Sequence, residues 1–172
     1  RFAKDRIGAL MVLRGRDPLE RRFEGGEDLD GKLSEQLLES IFDTHSEGHD
    51  GAVVIEGDRV THFGTRLPMS REFGKLSGMG TRHAAALGLA ERTDALCIVV
   101  SEERGTISLA KDGYLFTVQD LGALEEHIAA FLRDKAPATH EMRWWRDALR
   151  RNAMEKAIAV TIALALWLVF VQ

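Results

Sequence analysis

Three short apolar runs constrain this chain most, because each has the length and the branched composition of a buried strand. The runs are IGALMVL at 7–13, GAVVIEG at 51–57 and ALCIVVS at 95–101. Apolar runs of about four to eight residues, bounded by glycines and charged residues, are typical of strands inside a sheet. We therefore predict that these runs form the strands of one buried sheet.

Helix caps, turns and periodicity predict the other elements. They are, in chain order, a charged loop at 14–31, a helix capped by Ser34 that runs through Ile41 and Phe42, a strand at 59–67 after a turn at Gly57-Asp58, a loop at 68–80, a helix capped by Thr81, a hairpin of 106–110 and 114–118 around Lys111-Asp112-Gly113, and a helix at 121–132 ended by Pro137. This mixture predicts an α/β (α+β) fold. We expect a single domain at 1–135, with a mixed central β-sheet flanked by helices.

Composition excludes several classes of protein. The 172 residues carry a formal net charge of −4, whereas a general nucleic-acid footprint would be basic. The single cysteine, Cys97, cannot form an intramolecular disulfide, so a disulfide-built secreted module is excluded. Cys97 lies in the middle of a predicted strand, where a small core residue is the simplest interpretation.

The C-terminal end has a different character. Residues 157–171 form an uncharged run of fifteen residues, which would span about 22 Å as a helix, against about 30 Å of bilayer hydrocarbon. A buried core helix is the alternative. However, the run is apolar all round, and it follows two tryptophans and five basic residues, at Arg143, Trp144, Trp145, Arg146, Arg150, Arg151 and Lys156. We predict a membrane helix at 157–172 after a basic juxtamembrane linker at 136–156. The preceding domain would then be cytoplasmic, at the cell membrane, and we expect the chain to be a piece of a longer protein.

Two segments carry residues suited to chemistry. Gly80-Thr81-Arg82-His83 sets a glycine and an arginine at a helix start, where free N–H groups attract phosphate; a helix start with a salt-bridged arginine is the alternative. His49-Asp50-Gly51-Ala52 offers a carboxylate for a metal or a hydroxyl proton, and an ordinary turn before a strand is the alternative. His45 and His49 are four residues apart, but the surrounding turn formers disfavour a helical zinc pair.

Several motifs occur together in one order. They are Ile7-Gly8-Ala9-Leu10, His49-Asp50-Gly51-Ala52, Leu67-Pro68-Met69-Ser70, Gly80-Thr81-Arg82-His83, Glu91-x-Thr93-Asp94-Ala95, Val100-Ser101-Glu102-Glu103-x-Gly105 and Ile107-Ser108-Leu109-Ala110. Over about residues 5–118 the chain closely resembles the diadenylate cyclase domain. Residues 152–172 resemble the membrane segment that begins YbbR-like proteins. The resemblance implies a membrane-linked cyclase with a YbbR-like extension or regulator, and the net charge of −4 predicts no nucleic-acid partner.

The resemblance implies that two ATP molecules become cyclic di-AMP and two pyrophosphates, with active sites that meet in a homodimer. It implies a divalent cation, Mg²⁺ or Mn²⁺ with Co²⁺ as a third candidate, held by Asp50 with lesser contributions from His49 and Glu103. The residue roles that it implies are a proton acceptor at Asp50, adenosine contacts at Gly51, Ala52 and Leu67, triphosphate contacts at Gly80, Thr81, Arg82 and His83, and pocket walls at Ser101 and Glu103. Asp50, Arg82 and His83 form the implied catalytic set.

One position departs from the family pattern. The family motif usually reads Arg-His-Arg, whereas this chain has Arg82-His83-Ala84. The missing guanidinium would remove about 1.5–3 kcal/mol of charge-assisted bonding, unless Arg104 or Lys75 replaces it. A catalytically weak or dead nucleotide-binding regulatory module therefore stays open as the alternative function. A purely structural, membrane-linked scaffold would leave Asp50 without a role.

Overall fold

A seven-stranded mixed sheet forms the centre of the computed structural model, which describes residues 1–135 except Phe73 and Lys75. The strands are β1 Ala9–Leu13, β2 Glu27–Lys32, β3 Ala52–Glu56, β4 Arg59–Thr65, β5 Leu96–Val100, β6 Ile107–Lys111 and β7 Tyr114–Thr117. Their order across the sheet is β2-β4-β3-β1-β5-β6-β7. The central strand β1 runs parallel to β3 and antiparallel to β5.

Helices cover both faces of this sheet. They are α1 Phe2–Asp5, α2 Glu35–Ile41, α3 Thr81–Ala90 and α4 Leu121–Lys135, with a 3₁₀ turn at Glu47–His49. Helix α3 packs on one face, and α1, α2 and α4 contribute to the clusters on the opposite face. The predicted mixed sheet flanked by helices is therefore confirmed.

Strand β5 is buried along its whole length and explains why the run at 95–101 is continuously apolar. Cys97 and Val99 pack in the cluster that contains α3, whereas Leu96 and Ile98 pack in the cluster that contains α4. Burial raises the pKa of the Cys97 thiol to about 12. The interpretation of Cys97 as a small core residue is confirmed.

Local turn chemistry also agrees with the sequence. Asp112 and Gly113 have φ angles of 51° and 74°, the two positive values that a type I′ hairpin turn requires between β6 and β7. Ser34 caps α2 by accepting the backbone N–H of Leu37 at 3.2 Å. Both features depend only on neighbouring residues, and for that reason they can be read from the sequence.

The predicted loop at 14–31 is wrong at its end, because the acidic segment EDLDGK forms β2. This strand pairs antiparallel with β4, with Gly31 opposite Val60. Its propensity for strand is poor, so the hydrogen bonds offered by the edge of β4 determine its structure. The exposed acidic side chains also keep this outer edge from pairing with another chain.

The predicted cap at Thr81 is also wrong by one residue. Gly80 is the N-cap of α3, with extended backbone at φ −81° and ψ 179°, and it makes no side-chain capping bond. Helix α4 extends to Lys135, so it is longer than the predicted helix at 121–132. The predicted break at Pro137 lies outside the described residues.

The described part of the chain contains no helix with the length and hydropathy needed to cross a bilayer. The predicted linker at 136–156 and the predicted membrane helix at 157–172 both lie outside the described residues.

The burial of Cys97 leads to a test of the packing of β5. We expect the thiol to resist a disulfide reagent at pH 8 in the folded chain, because it is fully buried and its pKa is about 12. In urea one thiol per chain should react at once. The absorbance of the thiolate that the reagent releases measures the reaction rate of the folded and of the unfolded chain, and Cys97→Ala gives the background. Rapid stoichiometric reaction of the folded chain would contradict the structure.

Candidate functional site

The sheet topology brings the loops that carry the predicted site residues to one edge of the sheet. Leu10 of β1 lies opposite Ala52 of the parallel strand β3, and Ala9 lies opposite Val100 of the antiparallel strand β5. The start of β1, the start of β3 and the end of β5 therefore meet at the same edge. Thr65, at the end of β4, pairs with Ala52 and reaches this edge as well.

Two clefts open at this edge. The first, which we call the helix-start cleft, has a volume of about 260 Å³. It is lined by Gly78, Met79, Gly80, Thr81, Arg82, His83, Val100, Ser101, Glu102, Glu103, Arg104, Thr106, Ser108 and Thr117. The second, the strand cleft, has a volume of about 310 Å³ and is lined by Leu10, Asp50, Gly51, Ala52, Thr65, Arg66, Leu67, Met69, Thr81, Arg82 and Ala85. Thr81 and Arg82 line both clefts and join them.

Arg82 is held at this junction by Glu102. Its Nη1 donates to Glu102 Oε2 at 2.9 Å, and its side chain is 22% exposed while that of Glu102 is 59% exposed. Gly8 makes room for the pair, because a Cβ there would lie 2.4 Å from Arg82 Nη1 and 2.5 Å from Glu102 Oε2. An exposed pair of this kind contributes at most about 1 kcal/mol, so Arg82 can exchange Glu102 for a more highly charged anion.

The start of α3 presents backbone donors to the helix-start cleft. The N–H groups of His83 and Ala84 approach the Gly80 carbonyl oxygen, and those of Thr81 and Arg82 have no acceptor among the described residues. Gly80 has no side chain to cap them, and a Cβ at this position would meet no atom within 4 Å. Uncapped N–H groups at a helix start favour an anion.

Arg104 adds a second guanidinium to the same cleft. Its Nη2 donates to the carbonyl oxygen of Gly78 at 2.6 Å, and its backbone N–H lies 3.3 Å from Ser101 Oγ. Ser101 closes the turn between β5 and β6, with its N–H donating to the Thr106 carbonyl at 2.9 Å. Arg104 therefore links the loop before α3 to the loop after β5.

His83 lies in the first turn of α3 and is 6% exposed. Burial lowers the pKa of its imidazole, and the nearby charge of Arg104 lowers that pKa further, whereas Glu103 acts in the opposite direction. The ring is therefore kept neutral near pH 7. As a neutral group, it supplies no positive charge to the helix-start cleft.

Asp50 lies just before β3, at the end of the 3₁₀ turn, and is exposed in the strand cleft. Its carboxylate makes no hydrogen bond or ion pair with the described residues. Gly51 is required by the backbone, because a Cβ there would lie 2.5 Å from the carbonyl carbon of Gly64. Ala52 follows at 0% exposure, and its carbonyl accepts the Thr65 hydroxyl at 3.0 Å.

The wall formed by Leu67 and Met69 is fixed by α3. The N–H of Ser70 donates to the Ala84 carbonyl at 2.9 Å. Gly88 permits the close packing of this loop, because a Cβ there would lie 2.0 Å from the carbonyl oxygen of Pro68. Leu67 is buried, whereas Met69 is 47% exposed and leaves apolar surface at the mouth of the strand cleft.

The described residues contain no group of three or more His, Cys, Asp or Glu side chains suited to hold a metal alone. Asp50 lines the strand cleft and Glu103 the helix-start cleft, and His49 lines neither. Nδ1 of His49 lies 2.5 Å from the Ser46 carbonyl oxygen and must be its donor. Exposed carboxylates beside an anion site agree with a cation held partly by the phosphates of a bound ligand, as is usual for Mg²⁺.

The two clefts bring together all the predicted site residues except His49, which lies just before Asp50. Sequence reasoning missed Glu102 as the partner of Arg82, and it missed Met69 and Arg66 in the strand cleft. The adjacent Glu102 and Glu103 look alike in sequence. Only the geometry of the turn after β5 determines which carboxylate meets the guanidinium.

Comparison with known proteins identifies the class of the chain. It belongs to the DAC family, whose description is "DisA bacterial checkpoint controller nucleotide-binding". The family model matches residues 1–115 of this chain. The resemblance found in the sequence motifs is thereby confirmed at the level of the family.

Two relatives and one solved structure give the scale of the similarity. A diadenylate cyclase of Listeria monocytogenes serotype 1/2a (strain 10403S) is 44% identical over 126 residues, which cover 73% of this chain and 45% of that protein. Cyclic di-AMP synthase CdaA of Bacillus subtilis (strain 168) is 38% identical over 84% of this chain and 54% of that protein. A crystal structure of a double mutant of DacA from Staphylococcus aureus has a TM-score of 0.73 and 37% identity, over 76% of this chain and 87% of that chain. The chain spans about half the length of the two curated relatives.

The buried imidazole leads to a test by pH. In the unfolded chain His83 binds a proton once the pH falls below its ordinary pKa of 6.5. In the native chain its pKa is lower, so the proton binds only at a lower pH. The free energy of unfolding in urea should therefore fall between pH 7.5 and pH 5.5, and fall less in His83→Gln. Equal pH dependence in the two chains would contradict this environment for His83.

Proposed function

We propose that this chain is a diadenylate cyclase that condenses two ATP molecules into cyclic di-AMP and two pyrophosphates. The observation that carries the proposal is the junction at Thr81 and Arg82, where a cleft with apolar walls meets a cleft lined by anion-binding groups. Such a pair of clefts suits a nucleotide, which has an apolar base at one end and phosphates at the other. The names of the relatives, diadenylate cyclase and cyclic di-AMP synthase, support the same activity.

In this proposal the adenosine lies in the strand cleft. Leu67 packs against the adenine, and Gly51 and Ala52 let the nucleoside approach the backbone. The strand cleft supports this assignment because its walls combine buried Leu67 with the small residues at the start of β3. A flat aromatic base needs such apolar contacts and few polar groups.

The triphosphate then lies in the helix-start cleft. The N–H groups after Gly80, the Thr81 side chain and the Arg82 guanidinium bind the phosphates, and Ser101 and Glu103 form the opposite wall. When pyrophosphate leaves, these donors stabilise the charge that develops on it. Neutral His83 supports the first turn of α3 and can exchange a proton beside the phosphates.

The reaction requires two chains. The 3′-hydroxyl of each ATP attacks the α-phosphorus of the other, and in each of the two attacks one P–O bond forms while the bond from that phosphorus to the departing pyrophosphate breaks. Asp50 accepts the proton from the attacking hydroxyl, since its carboxylate is exposed and has no partner in the described part of the chain. Each subunit binds one nucleotide, so the active form is a homodimer with facing clefts.

A divalent cation, Mg²⁺ or Mn²⁺ with Co²⁺ as a third candidate, completes the proposed site. When bound, it neutralises phosphate charge and favours departure of pyrophosphate. Asp50 would hold it, with Glu103 and His49 as lesser candidates.

A nucleotide-binding module without activity is the second candidate, because Ala84 stands where the family usually has arginine. Ala84 is half-buried, and its carbonyl is engaged by Ser70. Arg104 favours the active enzyme, since its guanidinium lies in the helix-start cleft beside the loop that precedes α3. We propose that Arg104 supplies the charge that position 84 lacks.

We further propose that the domain is cytoplasmic and anchored at the cell membrane by residues 157–172, with a YbbR-like extension or regulator beyond that segment. The uncharged run and its basic, tryptophan-containing flank support this proposal.

The reaction is tested with the 172-residue chain, ATP and either Mg²⁺ or Mn²⁺. We expect mass spectrometry to detect cyclic di-AMP and a coupled assay to detect the release of two pyrophosphates for each cyclic di-AMP formed. Loss of the proton acceptor in Asp50→Asn should lower the rate at least about 100-fold. Asp58→Asn, at the far turn of the same β3–β4 hairpin, is the matched control. Full activity of Asp50→Asn would contradict its role, and bound ATP without product would favour the inactive module.

Arg104→Gln tests the replacement of the missing arginine. Glutamine keeps a polar side chain but carries no charge, so the affinity for ATP should fall about 10- to 100-fold while the affinity for adenosine is unchanged. Calorimetry measures both ligands. Adding Ala84→Arg to this variant should restore ATP binding, and Arg133→Gln on α4 is the control. An equal loss for adenosine and ATP would instead indicate a structural role.

A further inference from the structure

A third cleft lies beside the strand cleft and is rich in arginine. Its volume is about 400 Å³, and four of the eight residues that line it are arginines: Arg21, Arg22, Arg66 and Arg92. Phe23, Leu67 and Pro68 add an apolar wall, and Glu24 completes the lining. We call this region the arginine cleft. Its volume is within the range of small-molecule sites.

The four guanidinium groups come from three separate parts of the chain. Arg21 and Arg22 lie in the turns between β1 and β2, Arg66 directly follows β4, and Arg92 follows α3. The backbones of Glu24 and Arg66 exchange two hydrogen bonds of 2.9 Å, which fix the first two parts relative to each other. The fold therefore brings together charges that are distant in sequence.

Three of the four arginines in this cleft have no counter-ion among the described residues. Arg14, for comparison, pairs with two carboxylates, at 2.8 Å and 3.3 Å. Within residues 1–135, apart from the two gaps, Arg21, Arg22 and Arg66 have no carboxylate within ion-pair distance. Arg92 donates to the Gly88 carbonyl and has only Glu91 at 4.0 Å.

This concentration of positive charge is unexpected in a chain with a net charge of −4. All four side chains are exposed, so water screens part of their repulsion, but like charges around one cleft still disfavour the free fold. A bound anion removes the repulsion. Arginine forks also match phosphate oxygens in pairs, and a concave site favours a small ligand over the flat surface of an acidic protein.

We propose that the arginine cleft binds a small anion that carries two or more phosphate groups, and that its occupation weakens the binding of ATP in the strand cleft. The second part rests on the proposed function. Arg66 and Leu67 line both clefts, so an anion bound at Arg66 acts on the backbone that carries Leu67, the residue proposed to pack against the adenine. By linkage, ATP weakens binding of the anion to the same extent.

The test counts pyrophosphate sites on the 172-residue chain by calorimetry. We expect two sites, one in the arginine cleft and one at the start of α3. The combined variant Arg21→Gln, Arg22→Gln, Arg92→Gln should lose the first, and Arg82→Gln should lose the second. A variant with three exposed cations removed elsewhere, Lys4→Gln, Lys32→Gln, Arg133→Gln, should keep both.

The coupling is measured as the affinity for ATP with the arginine cleft filled. In Arg82→Gln, where pyrophosphate binds only the arginine cleft, we expect saturating pyrophosphate to lower ATP affinity at least about 5-fold. That effect should vanish when the three arginine substitutions are added.

Each outcome separates the two proposals. If the chain has one pyrophosphate site and Arg82→Gln loses it, the proposal of an anion site in the arginine cleft is wrong and the proposed function stands. A single site lost in the triple variant would support the arginine cleft and count against the triphosphate assignment. Two sites that survive in the triple variant would also overturn the proposal. If the chain forms a dimer that pyrophosphate dissociates and that the triple variant cannot form, the arginine cleft is a protein interface and the proposal of an anion site is wrong.

Discussion

The pairing of β1 with a parallel strand on one side and an antiparallel strand on the other determines where the chemistry of this domain can occur. It brings the starts of β1 and β3 and the end of β5 to one edge of the sheet. Helix α3 then begins at that edge, with its uncapped first turn facing residues from the loop after β5. Motifs that are separated by dozens of residues in the chain become neighbours for this reason.

Glycines permit the close contacts on which this arrangement depends. Gly8 leaves space for the pair of Arg82 and Glu102, and Gly51 lets β3 approach the backbone of Gly64. Gly88 lets α3 contact the loop that carries the apolar wall of the strand cleft. Each position would clash with its neighbour if it carried a Cβ. In sequence these glycines are simply flexible residues, and only the fold reveals which atom each one accommodates.

The sequence could predict the features that depend on local or periodic signals. The run at 95–101 is apolar on both faces and forms a buried strand, and the Asp-Gly turn adopts the positive φ angles that its composition favours. Strand β2 could not be predicted, because its hydrogen bonds come from β4 rather than from its own acidic residues. The arginine cleft could not be predicted either, since Arg22 and Arg92 are 70 positions apart (92 − 22) and meet only through the fold.

The pair formed by Arg82 and Glu102 has a consequence for how an anion is bound. A ligand that takes the guanidinium must displace a carboxylate, so binding is an exchange of counter-ions and its free energy is the difference between two pairings. Dissolved salt weakens both the pair of Arg82 with Glu102 and the pair of Arg82 with the anion, so its effects on the two states partly cancel. Arg82 should therefore make the affinity of the helix-start cleft less sensitive to ionic strength than an unpaired arginine would. The displaced Glu102 side chain, already 59% exposed, returns to water at little cost.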